Sequence, residues 1–220
     1  MMLLKEVRLL LKKEFMLEWK QKHAFTGILL YIISTIFVCF LSFKRIIDTD
    51  TWNTLFWIIL LFGSVNAVAK SFINENKDQQ LYLYTIASPE GIILSKIIYN
   101  IIILCFLGLA SFLIYSILLG NTVADIPLFI VALLLGCSGL AIAFTMVSAI
   151  ASKASNSAVL MAVLGFPIIL PMLLIIIRLS KIAILGFSWE NSYEYGGVLL
   201  LLNLIVAVLS YILFPYLWRD

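Results

Sequence analysis

Charge is scarce in this sequence. Only 12% of its 220 residues are Asp, Glu, Lys or Arg, about half the share in a soluble domain. There is one histidine, His23, and a catalytic triad or a zinc site needs more than that. No Gly-x-x-x-x-Gly-Lys-Ser/Thr run occurs, so the chain does not hold ATP through a P-loop. No acid lies in the middle of an apolar run: Asp48, Asp50, Asp125, Glu190 and Glu194 fall in connections on one side, and the remaining acids fall on the other. Ion-coupled carriers place an ionisable group near the bilayer midplane, so the energy for any movement comes from outside this chain. The three cysteines, Cys39, Cys105 and Cys137, sit in apolar runs without metal-ligand spacing and read as small hydrophobes. The expectation is no catalytic residue, no metal and no cofactor of its own. A net charge of +3 gives no reason to expect a nucleic-acid partner. A cleavable signal peptide is not expected either, because a long charged segment precedes the first apolar run and no small-residue cleavage site follows it.

What fills the sequence is apolar. Hydrophobic residues make up 63% and the mean hydropathy is +1.11, more than one soluble core of this size can hide but suited to lipid. Six runs are long enough to cross a bilayer as helices: 24–43, 53–73, 92–119, 126–150, 157–178 and 197–218. None alternates like a barrel strand. The fold class is therefore an all-α integral membrane protein, one domain over 1–220. With the N-terminus in the cytoplasm, 11 of the 15 Lys and Arg residues lie inside, while Lys44, Arg45, Arg178 and Lys181 lie outside. That bias predicts both termini in the cytoplasm.

Residues 3–20 carry Leu4, Val7, Leu11 and Phe15 at helical spacing among Lys5, Arg8, Lys12, Lys13, Glu14 and Lys20. An amphipathic helix in the inner headgroup zone, favouring anionic lipid, fits this pattern; a basic start that merely aids insertion fits it too. Between the second and third spans, a polar run turns apolar and aromatic at Leu81, Tyr82, Leu83, Tyr84 and Ile86. Ser88-Pro89-Glu90 then reads as a helix start, with an N-cap, a proline at the first position and an acid in the first turn. The apolar stretch is either a docking surface for another protein or part of an aromatic belt. Gly136 and Gly139 in the fourth run are small residues that let helices approach closely, and residues 148–158 predict a tight inner hairpin. Pro167 and Pro171 in the fifth run free the carbonyls of Val163 and Pro167. A kink there is expected, serving as a fixed bend or a gate, on a face that is packed by protein or lines a cavity. His23 reads as an interfacial residue rather than a ligand. In the last outer connection Trp189 and Tyr193 suit a membrane interface and can also stack on a flat aromatic ligand such as haem.

Two stretches carry a resemblance. Phe72–Lys96, with Ala87-Ser88-Pro89 and then Leu94-Ser95-Lys96, and Gly165-Phe166-Pro167-Ile168-Ile169-Leu170-Pro171, are similar to the two blocks of the CcmB family, the haem exporter protein B permeases of cytochrome c maturation. The likeness covers nearly the whole chain. It departs from the family at Asp78-Gln79-Gln80, where an acid-glycine pair is usual, and after Pro171, where a glycine is usual. The resemblance implies a type-2 ABC exporter permease with an interfacial helix at 3–20 and a coupling segment at 74–88. It tips Leu81–Ile86, with Ser88 and Pro89, toward docking on a separate CcmA-like ATPase that binds the ATP. It also implies CcmC-like and CcmD-like membrane partners, a CcmE-like haem chaperone, haem as candidate cargo, a homodimer as one assembly, and the bacterial inner membrane as the location. An exporter of another hydrophobic substrate, and a membrane scaffold that moves nothing, share the same architecture.

Overall fold

A computed structural model of the chain describes residues 2–20, 22–43, 48–68, 70–73, 87–152 and 157–219. The residues Leu81, Tyr82, Leu83, Tyr84 and Ile86, singled out above, lie outside this set. Among the described residues there are seven long helices and one short turn of helix: α1 (Met2–Lys20), α2 (Lys22–Phe43), α3 (Thr49–Val68), α4 (Lys70–Ile73), α5 (Pro89–Leu119), α6 (Ile126–Ala151), α7 (Ser157–Leu185) and α8 (Glu190–Arg219). Six of them, α2, α3 and α5–α8, are long and apolar enough to cross a membrane, which makes this an all-α membrane protein.

Local chemistry sets the helix starts. Asp48 accepts from the Thr51 amide (3.0 Å) and hydroxyl (2.6 Å) at the head of α3, and these bonds hold its carboxyl below the usual carboxylate range. Ser88 caps α5 through the Gly91 amide at 3.1 Å, with Pro89 and Glu90 following. Asp125 caps α6 through the Leu128 amide at 3.0 Å. Gly120 and Gly186 adopt φ of +87° and +70° where α5 and α7 end, a conformation that costs a side chain its Cβ clearance.

The centre of the bundle is α6, which packs against α3, α4, α5, α7 and α8. Residues 139–149 are buried without a break. Its run of Gly, Ala, Ser and Thr is what lets five neighbours come this close in lipid, where packing rather than water exclusion drives helix association. By contrast α2 is the most exposed span, touching α1, α3 and α5. The amphipathic α1 lies along α5.

Two elements extend beyond their apolar runs. The fifth helix was expected to end near residue 178, leaving Arg178 and Lys181 in an outer connection, but α7 continues to Leu185. Its extra turns are supported by Lys181, whose Nζ lies 2.7 Å from Oδ1 of Asp50 at the head of α3. The outer stretch before residue 197 was read as a loop, yet α8 starts at Glu190. The Asn191 and Ser192 amides close onto the Ser188 and Trp189 carbonyls at 3.1 and 2.9 Å, so the helix nucleates ahead of its apolar part. Gly196 and Gly197 do not interrupt it.

Candidate functional site

On the side of the bundle expected from the charge bias to be the inner one, α1 and the ends of α4 and α5 meet in a polar junction. At its centre is Lys96, two turns into α5 and only 2% exposed. Its Nζ donates to the Ser71 carbonyl of α4 at 2.5 Å, lies 3.6 Å from Oε1 of Glu14 on α1, and sits 4.7 Å from the centre of the Phe72 ring. A buried ammonium is stable only with partners of this kind. Around it, Tyr99 meets Phe15 of α1 edge-on at 5.2 Å, and Phe72 packs on Phe214 of α8 at 5.4 Å. Asn100 bonds Ser71 Oγ (3.3 Å) and Thr145 Oγ1 of α6 (2.8 Å). Two turns back, at the N-cap of α5, the Glu6 carboxylate accepts from the Ser88 amide (2.5 Å) and hydroxyl (2.9 Å). An anion at a helix N-terminus also meets the positive end of its dipole.

Further out, two polar layers stitch the spans. Asn203 of α8 donates to the Leu135 carbonyl at 3.0 Å and Ser138 Oγ at 3.2 Å, both on α6. The second layer joins α3 to α7: Trp57 Nε1 donates to Ser180 Oγ at 2.9 Å, Ser180 Oγ lies 2.8 Å from Asn53 Oδ1, and Asn53 donates to the Ile177 carbonyl at 2.9 Å. Trp52, Phe56, Tyr115, Phe112 and Phe129 form an aromatic cluster beside it, and Tyr115 donates to the Trp52 carbonyl at 3.0 Å.

The residues singled out in the sequence are not brought to one place. Ser88 and Pro89 are at the inner junction. Gly136 faces Trp57 and Ile176, and Gly139 faces Asn203 and Met172. Pro167 and Pro171 lie within α7 on its outward side, beside Val163 and Phe166 at 64% and 65% exposure; both are exposed, and among the described residues no packed face covers them. Trp189 and Tyr193 lie at the outer end of α8, where Trp189 Nε1 donates to the capping Asp125 at 2.9 Å and Tyr193 is exposed. Among the described residues no group of three or more His, Cys, Asp or Glu is placed to hold a metal. Sequence reading places Glu14 only on the polar face of this helix and passes over Glu6; no local pattern marks either acid, among Glu6, Glu14 and Glu18, as a partner of α5.

Six apolar helices packed around a small-residue helix make this a multi-pass membrane protein of the all-α class. A family model described as "CcmB protein" matches residues 5–216, nearly the whole chain, and the chain belongs to the CcmB family. It is thus a multi-pass inner-membrane component of ABC type that serves haem export and cytochrome c maturation and works with the Ccm system and its ATPase partner. No curated protein matches it.

Proposed function

We propose that this chain is the permease of a type-2 ABC exporter with both termini in the cytoplasm, and that a CcmA-like subunit docks on residues 74–88 and supplies the ATP hydrolysis. CcmC-like and CcmD-like membrane proteins complete the complex, which frees the haem-loaded CcmE-like chaperone for c-type cytochrome assembly; haem is the candidate cargo. The observation that carries this reading is the placement of Ser71 and Ser88 on either side of the inner connection. Ser71 holds Lys96 and Asn100, and Ser88 caps α5. A push on the connection is therefore delivered to the inner ends of α4 and α5 rather than lost in a loop.

Replacing Leu83 and Tyr84 together with glutamate tests the docking. Each change puts a charge where an apolar anchor is needed, and losing one aromatic anchor of about 2 kcal/mol already weakens binding roughly thirtyfold. The ATPase subunit is expected to disappear from the complex isolated in mild detergent. Its retention at wild-type stoichiometry would show that the contact lies elsewhere.

The outward proline face of α7 belongs to the same reading. Carbonyls freed by proline are costly against lipid, and a second copy of the chain is the partner we assign to that face. Motion of the spans would be absorbed at this weakened helix. Pro167→Ala with Pro171→Ala restores two amide donors and stiffens α7. Cytochrome c maturation is expected to fall several-fold, about the tenfold that 1.4 kcal/mol of lost flexibility represents. Unchanged maturation in this variant means that the bend is purely structural.

A further inference from the structure

Two acids of the amphipathic helix reach across to the two residues that bracket the inner connection. Glu14 holds Lys96, and Lys96 holds the Ser71 carbonyl just before the connection. Glu6 holds the Ser88 amide and hydroxyl just after it. Between them lie Val7, buried, and the edge-on pair of Phe15 with Tyr99. Lys5, Arg8 and Lys12 of the same helix are exposed, while Lys13 lies 3.6 Å from Glu14 and adds a second cation to that tie. Gly91 gives the second tie its room: a Cβ there would lie 2.9 Å from both Glu6 Oε1 and the capping Ser88 Oγ, so an added side chain pushes the carboxylate off its place on the head of α5.

A helix lying in the interface needs only apolar contacts and cations to stay there. Spending both of its inward acids on partners 82 residues away in sequence does something more. We propose that Glu6 and Glu14 are positioning residues: they bind α1 to both ends of the inner connection, so that α1, α4 and the head of α5 move as one body when the connection is pushed. With α1 released, the same push tilts α5 alone and is dissipated in the headgroup layer. This inference rests on the reading that the ATPase docks at the connection.

The test uses the complex purified from native membranes. The first measurement, on the wild-type chain, is whether an ATPase subunit co-purifies; if none does, the docking reading has failed and this inference falls with it. With the ATPase present, three variants are compared: Glu6→Ala combined with Glu14→Ala, Gly91→Ala, and the conservative Glu6→Gln. The readouts are permease level in the membrane, bound ATPase, ATP turnover and c-type cytochrome formed per ATP. Gly91→Ala is expected to keep its level, bound ATPase and ATP turnover, while cytochrome formed per ATP drops roughly tenfold, the effect of losing a hydrogen bond to a charged group; the double variant also strands the buried Lys96 ammonium, so its permease level is expected to fall as well, with at least the same drop in cytochrome formed per ATP. Glu6→Gln is expected to rescue, because its amide oxygen still accepts from Ser88. Unchanged cytochrome per ATP in the double variant overturns the proposal. So does a loss that merely follows the permease level or the bound ATPase in both disruptive variants, since the ties would then serve the fold or the docking and not transmission.

Discussion

Replacing Lys96 with alanine is expected to destabilise the protein by about 3–5 kcal/mol, the usual result of removing one partner from a buried charge pair. Several losses coincide at this residue. The Glu14 carboxylate, 14% exposed, keeps its charge and the more exposed Lys13 at 3.6 Å but loses its buried cation, the Ser71 carbonyl loses its 2.5 Å donor, and Phe72 loses the ammonium from its face. For a chain of this length the midpoint of thermal unfolding in detergent should drop by about 10 °C. Survival of the monodisperse peak after stepwise heating measures it, and a variant melting alongside wild type would show that Lys96 is a passive cytoplasmic cation. Pairing Lys96→Leu with Glu14→Leu separates the charge problem from the packing problem. Apolar pairs often replace a buried ion pair without loss of stability, so this double variant should recover most of the midpoint. It has no ammonium to hold the Ser71 carbonyl, however, and no carboxylate to tie α1 to it, so it should stay poor in cytochrome formed per ATP.

The same residue shows where sequence reading reaches its limit. As a cation among others, Lys96 contributed to the inside bias and formed part of a family-like block. That it is buried, and by what, depends on α1 folding back along α5, and no local pattern states this. The spans were legible because the bilayer imposes a length and demands that backbone groups be satisfied within each segment. The start of α5 was legible because Ser88-Pro89-Glu90 is a local capping signal. Glu6 on Ser88, Asn53 beside Ser180 and Lys181 on Asp50 were not, since each joins elements more than 80 residues apart and the choice of partner belongs to the packing. The extra turns of α7 and α8 escaped for a related reason. Hydropathy marks where a helix must be apolar, whereas Lys181 with Asp50, and the Ser188 and Trp189 carbonyls with the amides after them, decide where it ends or begins. Small residues in the fourth run were legible as a composition, but composition does not say which glycine has a neighbour against it.

Gly136 is a position where that distinction can be tested, because its neighbour is a large, pinned ring. A Cβ on Gly136 would lie 2.7 and 2.9 Å from the far ring atoms of Trp57 and 3.1 Å from Ile176. Trp57 is fully buried and is pinned by its 2.9 Å bond to Ser180, so it cannot swing aside without breaking the layer that ties α3 to α7. Gly136→Ala should therefore incur both an overpacking cost of about 1–3 kcal/mol and the loss of a buried hydrogen bond of about 1–3 kcal/mol. Gly197→Ala is the matched control. It lies in α8 with nothing within 4 Å of its added Cβ, and removing a mid-helix glycine there should be neutral or stabilising by up to about 1 kcal/mol. Trp57→Phe supplies the other half of the argument, because it removes the ring atoms that clash. If the contact is the cause, Gly136→Ala combined with Trp57→Phe should be less damaging than the two changes summed, by about 1–2 kcal/mol in a double-mutant cycle. Strict additivity would place the defect of Gly136→Ala in α6 itself, and the close approach of α3 to α6 would then not depend on that glycine.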